Sequence, residues 1–266
     1  MERIKIGFIG AGNMARALGR CLADKADLML FDINKETAEG AARSVGGGEV
    51  REKADIAREC SYIFLAVKPN ALCPALDGIR DILKERNDCT LVSMLAGISI
   101  ENIEVALGFS MPIIRIMPNT PVAVGRGVIL WCPSGVDDVG EAKFVEIMQS
   151  AGLVRKMDEG MIDAGTAISG CSPAFTYMFE KALANAGVAV GLDKETAEEL
   201  AKATVEGSSM LSILDSRSLE ELTRAVCSPG GSTIEGVKVL TDTLDELVGK
   251  AVRASYERTR ELGERK

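Results

Sequence analysis

A short apolar run, Ile4-Lys5-Ile6-Gly7-Phe8-Ile9, leads directly into Gly10-Ala11-Gly12-Asn13-Met14-Ala15, and helical spacing follows as far as Leu22. This order of strand, glycine turn and helix constrains the fold more than any other feature of the 266 residues. A strand that turns at once into a helix is the first half of a crossover, and crossovers build parallel sheets. The apolar runs at 28–31, 62–67, 90–94, 112–117, 127–131 and 153–156 continue the series. Near-continuous apolar strands separated by helix-length segments predict a parallel sheet covered by helices on both faces.

Beyond residue 158 the strand-like runs stop, and Ala, Glu, Leu and Lys recur at helical spacing. Asp193 is placed to cap a helix running to about Leu214. A last helix is expected from near Asp242 to Leu262, with Leu244, Leu247, Val248, Ala251 and Val252 on one face. The fold class expected is α/β followed by all-α. From the strand, glycine turn and helix above, residues 1–158 are expected to form a Rossmann-type dinucleotide-binding domain and residues 159–266 a helical domain, with no internal repeat.

Composition narrows the chemistry. There is no histidine, which excludes imidazole-based hydrolysis and histidine metal sites. Aromatic residues make up 4%, too few for base-stacking platforms. The formal charge is −8, divided as −2 over residues 1–158 and −6 over 159–266, so polyanions such as nucleic acid are repelled. The seven cysteines fall at 21, 60, 73, 89, 132, 171 and 227 without a C-x-x-C pair. They read as buried free thiols of a reducing compartment, with no metal site. No signal peptide opens the sequence and no apolar stretch reaches the roughly 18 residues of a membrane span. A cytoplasmic, soluble protein with no membrane partner is the expectation.

The glycine loop matches G-x-G-x-x-G/A in its proper setting, and Asp32 stands twenty residues after Gly12 at the end of the next strand. Gly10 permits the tight turn, Gly12 lets a pyrophosphate approach the backbone through Ala11, Asn13 and Met14, and Ala15 allows close helix–strand packing. Asp32 is placed to accept hydrogen bonds from the adenosine ribose. Its carboxylate repels a 2′-phosphate, which favours NADH over NADPH, although Asn34, Lys35 and Lys53 are cations and donors near enough to hold one. Ala66-Val67-Lys68-Pro69, Leu95-Ala96-Gly97 and Met117-Pro118-Asn119-Thr120-Pro121 end further strands and should line the same crevice.

In the helical half the unusual stretch is Cys227-Ser228-Pro229-Gly230-Gly231-Ser232-Thr233-Ile234-Glu235. Small residues before a helix start let the N–H groups of Gly231, Ser232 and Thr233 face one anion, and Thr233 adds a hydroxyl. In isolation the stretch reads equally as a capped helix joint.

Together these motifs identify a resemblance. From Phe8-Ile9-Gly10-Ala11-Gly12-Asn13-Met14 through Ala66-Val67-Lys68-Pro69, Met117-Pro118-Asn119-Thr120-Pro121 and Ser169-Gly170-Cys171-Ser172-Pro173-Ala174 to Ser228-Pro229-Gly230-Gly231-Ser232-Thr233, the chain resembles the pyrroline-5-carboxylate reductase family. The resemblance implies hydride transfer from NAD(P)H to the C=N carbon of 1-pyrroline-5-carboxylate, giving L-proline. It places the substrate carboxylate on Gly230, Gly231, Ser232 and Thr233, with Asn119 beside the substrate and the Thr233 hydroxyl on the ring nitrogen. It implies cofactor contacts from Asn34, Lys53, Ala66, Val67, Lys68, Pro69 and Ala96. It also implies homodimers with intertwined helical domains that assemble further. For Ala182, Leu183, Ala186, Val188, Ala189 and Val190 the alternative is an internal core helix.

Several positions depart from the family pattern. Phe175 replaces Tyr, Leu219-Glu220 replaces Pro-Gly, Thr223-Arg224-Ala225 replaces Lys-Asp-Asn, and Lys53 replaces an adenosine-contacting Asn. The changes at Ala225 and Lys53 bear on cofactor preference more than on reaction type. Rival readings are a reductase of another cyclic imine and a non-catalytic dinucleotide sensor. A β-hydroxyacid dehydrogenase would need a lysine in the linking helix, and Lys181 is the only lysine between Lys156 and Lys194.

Overall fold

The computed structural model describes residues 3–241 and 243–264. The helix start expected at Asp242 and the side chain of Leu262 lie outside the described residues. Eight strands form one sheet: β1 (Ile4–Ile9), β2 (Ala26–Phe31), β3 (Glu49–Val50), β4 (Tyr62–Leu65), β5 (Thr90–Ser93), β6 (Ile113–Pro118), β7 (Gly127–Ser134) and β8 (Gly152–Lys156). Their order is β3-β2-β1-β4-β5-β6-β7-β8. The winding reverses between β1 and β4, which opens a crevice at the carboxyl ends of those two strands.

Two features differ from the sequence expectation. β3 has two residues, too few to leave an apolar run. β7 runs antiparallel to β6, with Ile116 opposite Trp131. Only the tight turn Thr120–Val124 and its flanks join them, and so short a link cannot make a parallel crossover.

Helices α1 (Asn13–Leu22), α2 (Lys35–Ser44), α3 (Lys53–Glu59), α4 (Leu72–Leu76), α5 (Arg80–Lys84), α6 (Ile100–Leu107), α7 (Asp138–Met148) and α8 (Ile162–Ser169) cover the sheet. Alternation along the strands divides the core. Phe8 and Phe64 pack with Leu18 of α1, Ala38 of α2 and Phe144 of α7, and the Phe8 and Phe64 rings lie 4.8 Å apart. Ile9, Ile63 and Leu65 face the other way, against Ile56, Leu76, Leu83, Ile103 and Ile162.

The chain divides into two compact units, residues 1–171 with 255–266, and residues 172–254. The first therefore runs beyond the boundary expected near residue 158. Arg115 of β6, 4% exposed, holds Glu159 at 3.2 Å and Asp163 at 3.0 Å, while Glu159 also accepts the Ile100 N–H at 2.7 Å. A buried guanidinium needs both partners, and the pairing fastens α8 to the sheet.

The second unit holds α9 (Ser172–Ala189), α10 (Lys194–Leu214), α11 (Leu219–Ala225), α12 (Ser232–Thr241) and the first part of α13 (Leu244–Glu264). Asp193 caps α10 as expected, accepting the Thr196 N–H at 2.9 Å, which holds its carboxyl below the usual range. Ser218 and Glu221 form a reciprocal capping box on α11. Among the described residues the buried apolar side chains of this unit are Ala184, Ala197 and Ala201. The stretch around Leu183, Val188 and Val190 is exposed, so within one chain it is not an internal core helix. Among the described residues no helix is long and apolar enough to cross a membrane.

All seven cysteines are free thiols, but they are not uniformly buried: Cys60, Cys89 and Cys132 are, whereas Cys73 is exposed on α4. Desolvation, reinforced by Glu59, pushes the Cys60 thiol up to about 12, and desolvation reinforced by Glu159 pushes Cys132 up to about 11. Because the thiolate is the reactive form, a thiol reagent at pH 8 should modify Cys73 first and reach Cys60, Cys89 and Cys132 only on unfolding. Peptide mapping that found Cys60 labelled early in the folded protein would contradict this packing.

Candidate active site

The glycine loop turns where β1 ends. Gly10 adopts φ +99°, and a Cβ there would stand 2.5 Å from the Ala66 carbonyl oxygen at the end of β4. Both the left-handed backbone and the close approach require glycine. Gly12 is the N-cap of α1 with no side-chain cap, and a Cβ on it would meet nothing within 4 Å. The first N–H groups of α1 are thus left for a ligand, and no carboxylate occupies that first turn. Ala15 is fully buried against the sheet.

Asp32 follows β2 and fixes the loop. Its Oδ2 accepts the Ala11 N–H at 2.9 Å and its Oδ1 the Asn34 N–H at 3.0 Å. Each oxygen keeps a lone pair for a sugar hydroxyl. Beside it lies a largely apolar cavity of about 180 Å³, whose walls include Phe31, Ile33, Lys53, Val67 and Pro74. Its position and apolar walls suit a planar heterocycle next to the Asp32 carboxylate. Lys53 reaches across this cleft and donates to the Pro74 carbonyl at 2.8 Å. Asn34 caps α2, its Oδ1 accepting the Thr37 N–H at 3.1 Å. Ile33, 97% exposed, is an apolar rim residue that pattern reading passed over. A larger hollow of about 330 Å³ opens at the amino ends of β1 to β3. Its charges are matched among themselves, with Glu59 at 2.7 Å from Lys5 and 2.8 Å from Arg51.

The structure brings Gly10 to Ala15, Asp32, Asn34, Lys53, Ala66, Val67, Lys68, Pro69 and Ala96 to the carboxyl edge of β1, β2, β4 and β5. Asn119 is a different case. It is 7% exposed; its Oδ1 accepts the Val128 N–H at 2.7 Å and its Nδ2 donates to the Ser169 carbonyl at 2.8 Å. Its amide ties the turn after β6 to β7 and to the end of α8, with one Nδ2–H and one Oδ1 lone pair left over.

In the helical unit α12 begins at Ser232, after a turn in which Gly230 takes φ +72°. Gly231 donates its N–H to the Ser228 carbonyl at 3.0 Å, and a Cβ on it would stand 2.4 Å from Ser228 Oγ. The three-N–H cradle expected from sequence is therefore corrected to two, because the Gly231 N–H closes the preceding turn. Ser232 and Thr233 remain, both exposed in the first turn of a ten-residue helix.

Residues 159–262 match the family model described as pyrroline-5-carboxylate reductase dimerisation, and residues 5–97 match one described as NADP oxidoreductase, coenzyme F420-dependent. The chain is 35% identical to pyrroline-5-carboxylate reductase 2 of Rattus norvegicus, over 97% of its own length and 84% of that protein. The chain belongs to the pyrroline-5-carboxylate reductase family.

Solved structures agree with that membership. A pyrroline-5-carboxylate reductase from Coxiella burnetii superimposes with a TM-score of 0.89 at 32% identity, covering 98% of this chain and 99% of the other. The Plasmodium falciparum pyrroline carboxylate reductase, solved with NADP bound, gives 0.86 at 31% identity, covering 99% of each. The reductase family's Rossmann sheet and helical dimerisation region thus account for both units of this chain.

Proposed function

We propose that the protein reduces the C=N bond of 1-pyrroline-5-carboxylate to give proline, with NADH as the preferred donor. The observation that carries this reading is the pairing of an uncapped α1 amino terminus at Gly12, beside Asp32, with a second helix start at Ser232–Thr233 in a chain of this family. Bound nicotinamide would supply the hydride. The protein's own task is then to bind and orient. The Gly12 backbone and the first turn of α1 hold the pyrophosphate, and Asp32 holds the adenosine ribose. In the helical unit the Ser232 and Thr233 N–H groups hold the substrate carboxylate, and the Thr233 hydroxyl hydrogen-bonds the ring nitrogen. A protonated imine is already electrophilic, so the absence of histidine is no handicap. The helical half carries −6 of the −8 charge, so an anionic substrate must be caught by local N–H groups against the overall field.

Cofactor preference follows from the Asp32 surroundings. A 2′-phosphate would approach a carboxylate, and like charges at such range repel. Lys53 is drawn to the Pro74 carbonyl and Ile33 offers no charge, which leaves Lys35 and the Asn34 amide nitrogen as the donors a 2′-phosphate would have to use against Asp32. NADH should therefore exceed NADPH in kcat/KM by at least about tenfold, a difference of roughly 1.4 kcal/mol. A spectrophotometric assay with 1-pyrroline-5-carboxylate and each dinucleotide tests both statements. No imine-dependent oxidation of either donor would sink the reductase reading, and a tenfold preference for NADPH would sink the role of Asp32.

The active form is a homodimer that assembles into a larger oligomer, located in the cytoplasm. The exposed apolar faces of the helical unit and the match to a dimerisation region support the first of these. Sedimentation at micromolar concentration would test it.

A further inference from the structure

Arg16 stands in the first turn of α1, one turn beyond the glycine loop, where a cation opposes the helix dipole. Something must offset that placement, and the hydrogen bonds show what does. Its Nε donates to the Ala11 carbonyl at 3.1 Å and its Nη2 to the Thr37 carbonyl at 3.2 Å. The two peptide groups flanking the Ala11 Cα are thus both held, the N–H of one by Asp32 at 2.9 Å and the carbonyl of the other by Arg16.

These contacts close a ring. Asp32 holds Ala11, Ala11 holds Arg16, Arg16 holds Thr37, Thr37 donates its N–H to Asn34 at 3.1 Å, and Asn34 donates its N–H back to Asp32 at 3.0 Å. One half of the ring is the loop assigned to the pyrophosphate; the other is the turn assigned to the ribose. Ala11 sits between Gly10 and Gly12, residues that lose more backbone freedom on ordering than any others. A loop with glycine on both sides would otherwise have to be ordered at the moment of binding, which lowers affinity.

We propose that Arg16 is a positioning residue for the dinucleotide, its guanidinium fork bridging the Ala11 and Thr37 carbonyls so that the pyrophosphate loop and the ribose turn are set as one piece. The inference rests on the dinucleotide reading of this site. It differs from charge attraction to phosphate, because it requires two donors at fixed separation rather than a positive charge alone.

NADH binding to the whole protein, followed by fluorescence titration without substrate, tests it with three chains. Arg16→Met and Arg16→Lys should each weaken NADH binding about tenfold, because lysine keeps the charge and loses the fork. The KM for NADH should rise in step, with kcat at saturating NADH within twofold of wild type, whereas a merely misfolded variant would lose kcat as well. Wild-type affinity in Arg16→Lys would overturn the proposal in favour of simple charge attraction, and wild-type affinity in Arg16→Met would remove Arg16 from the site altogether. A wild-type protein that binds neither NADH nor NADPH would instead overturn the dinucleotide reading, a result distinct from either.

Discussion

Thr233→Ala should lower kcat/KM for 1-pyrroline-5-carboxylate by about a hundredfold while leaving NADH affinity unchanged. Thr233 is the second residue of α12 and is exposed, so its hydroxyl makes no contribution to a core and its removal should leave the fold intact. In the proposed complex that hydroxyl bonds the ring nitrogen, and a hydrogen bond to a charged group is worth about 1.5–3 kcal/mol. Near the upper end, that is a hundredfold in rate or affinity. Thr233→Ser keeps the hydroxyl and should recover most of the loss. The proposed dinucleotide site lies within the other unit, so the NADH dissociation constant is the internal control. Unchanged steady-state kinetics in Thr233→Ala would remove the residue from the reaction; a parallel loss of NADH binding would mean the substitution had done more than delete one bond.

Much of the candidate cofactor site was legible because it is local in sequence. Gly10, Gly12, Ala15 and Asp32 lie within one strand–helix–strand unit; Gly10 is required by its backbone angle and its close approach to Ala66, and Asp32 stands at the end of the next strand, where it holds the Ala11 N–H. Strand ends such as Ala66 and Ala96 followed from the sheet rule once the strands were placed. What could not be read is what depends on pairing across distance. The antiparallel β7 has the same apolar composition as a parallel strand, and the direction is decided by the short link around Asn119. The commitment of Asn119 to Val128 and Ser169 needs the fold, since a polar residue in a stiff loop reads equally as ligand contact or scaffold. Arg16 left one faint signal, a cation in the first turn of a helix, where sequence rules favour an anion. Its two carbonyl partners, Ala11 and Thr37, are separated by an entire strand, so nothing in the spacing joins them.

The helical unit makes the largest demand on a second chain. Among the described residues of this unit, the buried apolar side chains are Ala184, Ala197 and Ala201, three methyl groups between α9 and α10. Phe179, Leu183, Leu211, Leu214, Leu247 and Val248 meanwhile remain between 40% and 77% exposed. Such a unit is stable only when those faces are covered, and the match of residues 159–262 to a dimerisation region names a second copy of the chain as the cover. Folding of the unit and association should therefore be one event. The expected result is a melting temperature that rises with protein concentration, as mass action requires when only the associated state is folded. Leu183→Asp, which would bury an unpaired carboxylate, should lower it by 10 °C or more at micromolar concentration and shift the sedimenting species toward monomer. Helicity measured by circular dichroism should fall with association in that variant, while the sheet unit keeps its fold and its NADH binding. A monomeric Leu183→Asp protein with undiminished helicity would show that the helical unit stands on its own, and would break the link between association and folding.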